Sequence, residues 1–195
     1  GGGGRRGYYE IGNYHTKTAV NIGTLCRSAY QLGAAGIFTI GRRYRPQSSD
    51  TMKTWRHIPL RHFVTLEAWY AALPYKASVI GIERGGGDLW DFKHPERAVY
   101  LLGAEDRGLP QAAWARCHAV VSLDAVRTAS YNVAVAGSLV LYHRWMQRRV
   151  GGTGSLEAPP CGACPHARSE HPCDGSCASC GCRAYAHEPP AEEAP

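Results

Sequence analysis

The sequence predicts an α/β fold: a mostly parallel sheet with helices on both faces. Three observations carry this. Short runs apolar throughout recur along the first 150 residues, as strands covered on both faces do. Helical patterns separate these runs, and strands alternating with helices make parallel sheets. The 195 residues suit one ordinary domain plus an appendage, and composition changes sharply after Val150.

Residues 1–7 read as a flexible leader without the hydrophobic segment of a secretory signal. Tyr8–Ile11 is a short first strand, followed by a helix over Asn21–Leu32 and a strand at Gly36–Ile40. Thr65–Leu73 is helical, and strands follow at Ser78–Ile82 and Ala98–Leu102. Pro110–Arg116 forms a helix, since proline's missing N–H costs nothing in a first turn. After a strand at Ala119–Val121, Ser130–Arg149 is the longest helix. Its first three turns are almost all small or apolar, which predicts burial nearly all round. Arg144, Arg148 and Arg149 end it, where the helix dipole favours cations.

Charge is unevenly spread. From Gly151 onward the chain holds two Arg against six Asp and Glu, leaving residues 1–150 with 20 Lys and Arg against 10 Asp and Glu. A domain that basic attracts polyanions, because neutralising phosphates releases counterions; a solvated basic surface is the plain alternative. No apolar run approaches the roughly 20 residues of a membrane span. Cys26 and Cys117 lie far apart and imply no disulfide framework, so a reducing, cytoplasmic home is expected.

Between Arg42 and Arg61, the cations Arg42, Arg43, Arg45, Lys53, Arg56 and Arg61 interleave with Tyr44, Trp55 and His57. That spacing suits a phosphate backbone with a base stacked on a ring. A solvated loop whose aromatics cover the core edge would look the same.

Three segments carry candidate chemistry. In Leu101-Leu102-Gly103-Ala104-Glu105-Asp106-Arg107-Gly108-Leu109-Pro110, a glycine directly follows an apolar strand. Backbone can approach a ligand there, at the carboxyl edge of a parallel sheet. Glu105 stands where a dinucleotide turn needs its second glycine, which disfavours a nicotinamide oxidoreductase. A plain strand-to-helix turn remains the bland alternative. Ser130-Tyr131-Asn132 opens the long helix, where Ser130 is an N-cap candidate and Asn132 a second partner for orphan donors. In Asn21-Ile22-Gly23-Thr24-Leu25-Cys26-Arg27-Ser28-Ala29, Asn21 can cap the first helix, and Arg27 falls one turn after Gly23 on the same face. Taken alone, Arg27 reads as a solvated cation.

Together, and in this order, the three segments resemble the motifs of the SpoU/TrmH branch of the SPOUT RNA methyltransferases, over roughly residues 8 to 149. The resemblance implies a methyltransferase domain over 8–150, with a C-terminal trefoil knot, that transfers methyl from S-adenosylmethionine to a ribose 2′-hydroxyl of RNA. It implies cofactor contacts at Ile82, Glu83, Leu102, Gly103, Glu105, Gly108, Leu109, Val121, Ser122, Leu123, Ser130 and Asn132. Arg27, Glu105, Ser130 and Asn132 become the catalytic candidates, and Asn21, Arg27, Arg42, Arg43, Arg45, Lys53 and Arg56 the RNA contacts. A guanidinium with a pKa above about 12 is a poor base, so Arg27 is expected to stabilise the developing alkoxide instead. The family usually has Leu or Met where Tyr131 stands, and often Ile-Pro-Met where this chain has Val121-Ser122-Leu123. Members usually dimerise, so a homodimer is expected. A tRNA substrate is expected over rRNA, because no large RNA-binding domain precedes the catalytic one. A non-catalytic RNA-binding module of the same fold is the alternative.

The end of the chain lies outside the resemblance. Residues 151–160 read as a linker, 161–187 as a Cys/His-rich tail and 188–195 as a disordered end. Cys161, Cys164, Cys173, Cys177, Cys180 and Cys182 lie within 22 residues, and their Cys-x2-Cys pairs suit tetrahedral zinc. Disulfides or a disordered tail are the alternatives.

Overall fold

The computed structural model describes residues 7–15, 19–43, 56–127 and 131–150. The chain divides into two units, Gly1–Arg149 and Val150–Pro195, and the fold described below belongs to the first. Its elements run β1 (Tyr8–Tyr14), α1 (Ala19–Leu32), β2 (Gly36–Ile40), β3 (Leu60–Phe63), α2 (Leu66–Ala71), β4 (Ser78–Asp88), β5 (Arg97–Leu102), α3 (Gln111–Trp114), β6 (Ala119–Ser122) and α4 (Val133–Val150). The six strands form one sheet in the order β3-β2-β1-β5-β4-β6, and every pairing is parallel.

Strand alternation sorts the core into two layers. Ile11, Tyr100 and Leu102 pack with Ile22 and Leu25 of α1 and Val140 and Leu141 of α4. Phe38, Val99 and Leu101 pack on the opposite face with Leu66 and Trp69 of α2 and Ala113 of α3. Helices therefore cover both faces, as the uniformly apolar strands require.

β3 was not among the expected strands, because Leu60-Arg61-His62-Phe63 mixes polar with apolar residues. Arg61 accounts for its place: the guanidinium pairs with the carboxylate of Glu10 on β1, reaching across β2. Tyr8 also hydrogen-bonds Glu10. Burial, then the Glu10 hydrogen bond and charge, push the Tyr8 phenol up to about 12. Arg61 thus ties the edge strand β3 to β1.

Three expectations about helices are corrected. α1 begins at Ala19, so Asn21 lies inside the helix and does not cap it. α3 is only four residues long. α4 is not buried all round: Val135 and Leu139 are 44% and 41% exposed, because the apolar residues at its start exceed the width of the face that meets the sheet.

The far end of α4 is clamped to the connection between β4 and β5. Arg144, expected as an end-of-helix cation, is instead 1% exposed. Its Nη1 donates to the Pro95 carbonyl (2.6 Å) and the Tyr100 hydroxyl (3.2 Å), and its Nη2 to the Glu96 carbonyl (2.9 Å). The guanidinium also sits 4.5 Å from the Tyr9 ring centroid. Beside it, His94 joins the Tyr100 hydroxyl through Nδ1 (2.6 Å) and Nδ1 of His143 through Nε2 (2.9 Å). Gln147 donates to the Phe92 carbonyl (2.7 Å). These bonds fix where α4 crosses the sheet, and so where its opposite end meets the strand termini.

Candidate active site

Sheet order reverses between β1 and β5. In parallel α/β proteins the crevice outside the carboxyl ends of strands at such a point is the usual ligand site. The chain leaves β5 at Leu102 and folds Gly103–Gly108 into a closed loop. Ala104 and Gly108 exchange two backbone hydrogen bonds, of 3.1 and 2.9 Å. A Cβ on Gly103 would overlap the backbone of Gly108 and Leu109. Gly108 has a φ of +64°, and its α-carbon faces the Glu83 carboxylate so closely that a Cβ would overlap it. That carboxylate accepts from the Leu109 amide (2.7 Å) and, through its other oxygen, from the Arg84 amide (3.0 Å). Glu83, midway along β4, therefore sets the shape of the loop, which leaves Glu105, Asp106 and Arg107 exposed.

Three distant segments meet at this loop through side-chain amides. Asn132 caps α4: its Oδ1 accepts from the amides of Ala134 (2.9 Å) and Val135 (3.3 Å). Its Nδ2 donates to Oδ1 of Asn21 (3.0 Å), and Nδ2 of Asn21 donates to Oε1 of Glu105 (2.5 Å). Each amide accepts with its oxygen and donates with its nitrogen, so the chain of bonds runs one way and ends on a carboxylate.

A cavity of about 190 Å³ opens between the loop, the middle of β4 and the start of α4. Of the expected cofactor residues, Ile82, Glu83, Leu102, Gly103, Glu105, Gly108 and Leu123 line it. Leu109 and Val121 turn into the core. Ser122 lines a neighbouring hollow with Gly86 and Asp88 and donates to the Gly86 carbonyl (3.0 Å). Tyr131, in the opening of α4 where cofactor contacts were expected, also lines the cavity; sequence reasoning missed Arg84, Val133 and Ala136 in the wall. Val133 and Ala136 lie three apart on α4, a helical spacing that could have pointed to them.

Arg27 is exposed on α1, and Arg42 and Arg43 are exposed just after β2; Arg56 is exposed before β3. Asn21, expected as an RNA contact, is engaged by Glu105 and Asn132. Ser130, Arg45 and Lys53 lie outside the described residues, as do the six tail cysteines. Among the described residues no group of three or more His, Cys, Asp or Glu is placed to hold a metal ion. None of their helices is long and apolar enough to cross a membrane.

These features define a parallel α/β protein whose small-molecule cavity is built from a glycine loop and a capped helix at the sheet's carboxyl edge. More narrowly, the chain belongs to the SpoU rRNA Methylase family, whose pattern matches residues 11–142. It is 33% identical over 147 residues to a 23S rRNA (uridine(2479)-2′-O)-methyltransferase of Streptomyces viridochromogenes, covering 69% of this chain and 51% of that one. The AdoMet complex of the SpoU methyltransferase AviRb from the same organism superposes with a TM-score of 0.63 at 26% identity, over 72% of this chain and 58% of that one. A structure concerned with the 2-OH methylation of C/U34 on tRNA superposes with a TM-score of 0.66 at 26% identity, over 75% of this chain and 99% of the other. The chain spans about half the length of the curated relatives it matches.

Proposed function

We propose that this chain is an S-adenosylmethionine-dependent 2′-O-ribose RNA methyltransferase acting on tRNA. The observation that carries the reading is the hydrogen-bond chain Asn132–Asn21–Glu105, which joins all three motif segments at the mouth of one cavity. The cavity fits the cofactor chemically. Ile82, Leu102 and Leu123 offer apolar walls, and the loop can close on itself beside them because Gly103 and Gly108 carry no side chain. Glu83, Glu105 and Asp106 line the cavity together with Arg84 and Arg107, so it offers partners for both the cationic groups and the carboxylate of the cofactor.

S-adenosylmethionine, when bound, supplies the electrophilic methyl group. The chain's own residues do the rest. The loop from Gly103 to Leu109 and the backbone at Val121–Leu123 orient the cofactor, as does the opening of α4 from Ser130 to Asn132. Arg27 grips the RNA and stabilises charge as it develops on the ribose oxygen, through charge-assisted hydrogen bonds. Arg42, Arg43, Arg45, Lys53 and Arg56 hold RNA phosphates. Trefoil threading of α4 and the loop is part of this reading.

A homodimer is part of it too. Val135, Leu139, Tyr142 and Met146 repeat at spacings of four, three and four along α4 and are exposed, an apolar stripe suited to a second helix. Arg27 then completes the site of the partner subunit. The tRNA preference rests on the tRNA-directed relative, which this chain matches along 99% of its length. In the tail, the six cysteines are assigned to zinc.

Calorimetry with S-adenosylmethionine tests the cofactor, and separates an enzyme from a fold that only binds RNA. Mass spectrometry of nucleosides from a deletion strain tests the rest. One missing 2′-O-methyl nucleoside in tRNA is expected; its loss from rRNA instead would move the substrate, and no loss would end the reading.

A further inference from the structure

Tyr131 lies in the wall of the cavity, between Leu123 and the first turn of α4. It is 38% exposed, yet its hydroxyl is engaged, donating to the main-chain carbonyl of Asp124 at 2.8 Å. Asp124 directly follows Leu123, another wall residue, and its carboxylate turns the chain there by accepting from the Ala125 amide (2.8 Å). The phenol thus bonds the segment leaving β6 to the start of α4. One residue further on, Asn132 fixes α4 to Asn21 and Glu105. The two neighbours tie the same helix start in two directions, Asn132 toward the loop after β5 and Tyr131 toward the segment leaving β6.

A partly exposed aromatic ring would ordinarily sample several rotamers, and ordering it would count against binding. Here the hydroxyl has already chosen one. The ring stands beside the cavity as a fixed wall, so a ligand meets a surface that needs no further ordering. An aliphatic residue at this position could supply bulk, but it has no hydrogen bond to hold it in place.

We propose that Tyr131 is a positioning residue that sets how long the cofactor stays bound, by pinning the segment after β6 to the start of α4 across the cavity wall. This rests on the proposed use of S-adenosylmethionine. The bond is made by the main chain of Asp124, so the device depends on the phenol and not on the aspartate side chain.

The experiment compares the full chain with Tyr131→Phe and Tyr131→Leu. S-adenosylhomocysteine serves as the probe, because it offers the same nucleoside without turnover. Stopped-flow binding reads association and dissociation separately, and thermal unfolding runs in parallel. Loss of one neutral hydrogen bond predicts dissociation about three- to tenfold faster in Tyr131→Phe, with association nearly unchanged. Tyr131→Leu, lacking the ring too, is expected to release the probe faster still. In steady state, KM for S-adenosylmethionine is expected to rise in step with the faster dissociation. Wild-type dissociation in Tyr131→Phe would overturn the proposal. So would a lowered melting temperature with unchanged dissociation, since Tyr131 would then serve only the fold. Failure of the wild-type chain to bind either nucleoside would instead overturn the cofactor reading, and this inference with it.

Discussion

Asn132 does two things with one amide: its oxygen caps α4 and its nitrogen orients Asn21 toward Glu105. The two can be separated. Asn132→Asp keeps an oxygen for the cap but has no N–H for Asn21, so stability should hold while methyl transfer falls at least tenfold. Asn132→Ala loses both, and should also lower stability by about 1 kcal/mol, the usual worth of a cap. Thermal melts beside a methyl-transfer assay check this; full activity in Asn132→Asp would remove the polar chain from the mechanism. Arg27 makes a different kind of contribution. Arg27→Lys keeps the charge but loses the planar fork, and should slow transfer by roughly a hundred- to thousandfold. Cofactor affinity should not move; abolished cofactor binding with intact chemistry would contradict an RNA-facing role. Residue types at these positions were legible in the sequence, but their partners were not. Nothing in the spacing says that Asn21 spends its amide on residues 84 and 111 positions away. Tyr131 reads in sequence as a departure from the family pattern at the pocket wall, but its hydroxyl's partner was not legible because it is a main-chain carbonyl.

Elements divide by how uniform their residues are. β2, β5 and the start of β4 stood out because their residues are mostly apolar and buried. The rest of β4, Glu83 to Asp88, is polar and glycine-rich, and β3 sits at the sheet edge and mixes Arg61 and His62 with apolar residues. α4 was found by its length, and its exposed stripe was missed because apolar content alone does not say which face meets the sheet. Its clamp on the β4–β5 connection also carries a pH dependence. Burial first, then the positive field of His143, Arg144 and Arg148, lowers the His94 pKa to about 3; His143 is lowered too, chiefly by burial. An unfolded His takes its proton near its ordinary pKa of about 6.5. Unfolding therefore binds a proton between those limits: the stabilisation is complete above pH 6.5 and is lost as pH falls toward 3. Denaturant midpoints measured from pH 7 to pH 4 should fall. His94→Gln should flatten the slope by up to about 1.4 kcal/mol per pH unit, one proton's worth. An identical slope in the variant would show that other groups govern acid unfolding.

At the scale of the whole molecule, the basic domain and the cysteine-rich tail differ in what holds them. The first unit has two apolar layers around its sheet. A tail so poor in aliphatic residues has no such core to draw on, which is why zinc is expected there. Purified protein should carry about one zinc per chain by elemental analysis. A chain ending at Gly154 should lose the metal and keep its affinity for S-adenosylmethionine; metal-free protein with free or paired thiols would end the zinc assignment. The order of strands has a consequence of another kind, in time. β1 pairs with β2 on one edge and with β5 on the other, and β5 lies roughly ninety residues further along the chain. At a synthesis rate of about 5–20 residues per second, β1 and β2 wait several seconds on the ribosome before their neighbour emerges. During that interval the central strand of the finished sheet is an open edge, a template for any other strand that comes near. The nascent chain is thus most prone to aggregate just before its site exists, and the arrival of β5 closes the vulnerable edge and delivers the Gly103 loop in a single event.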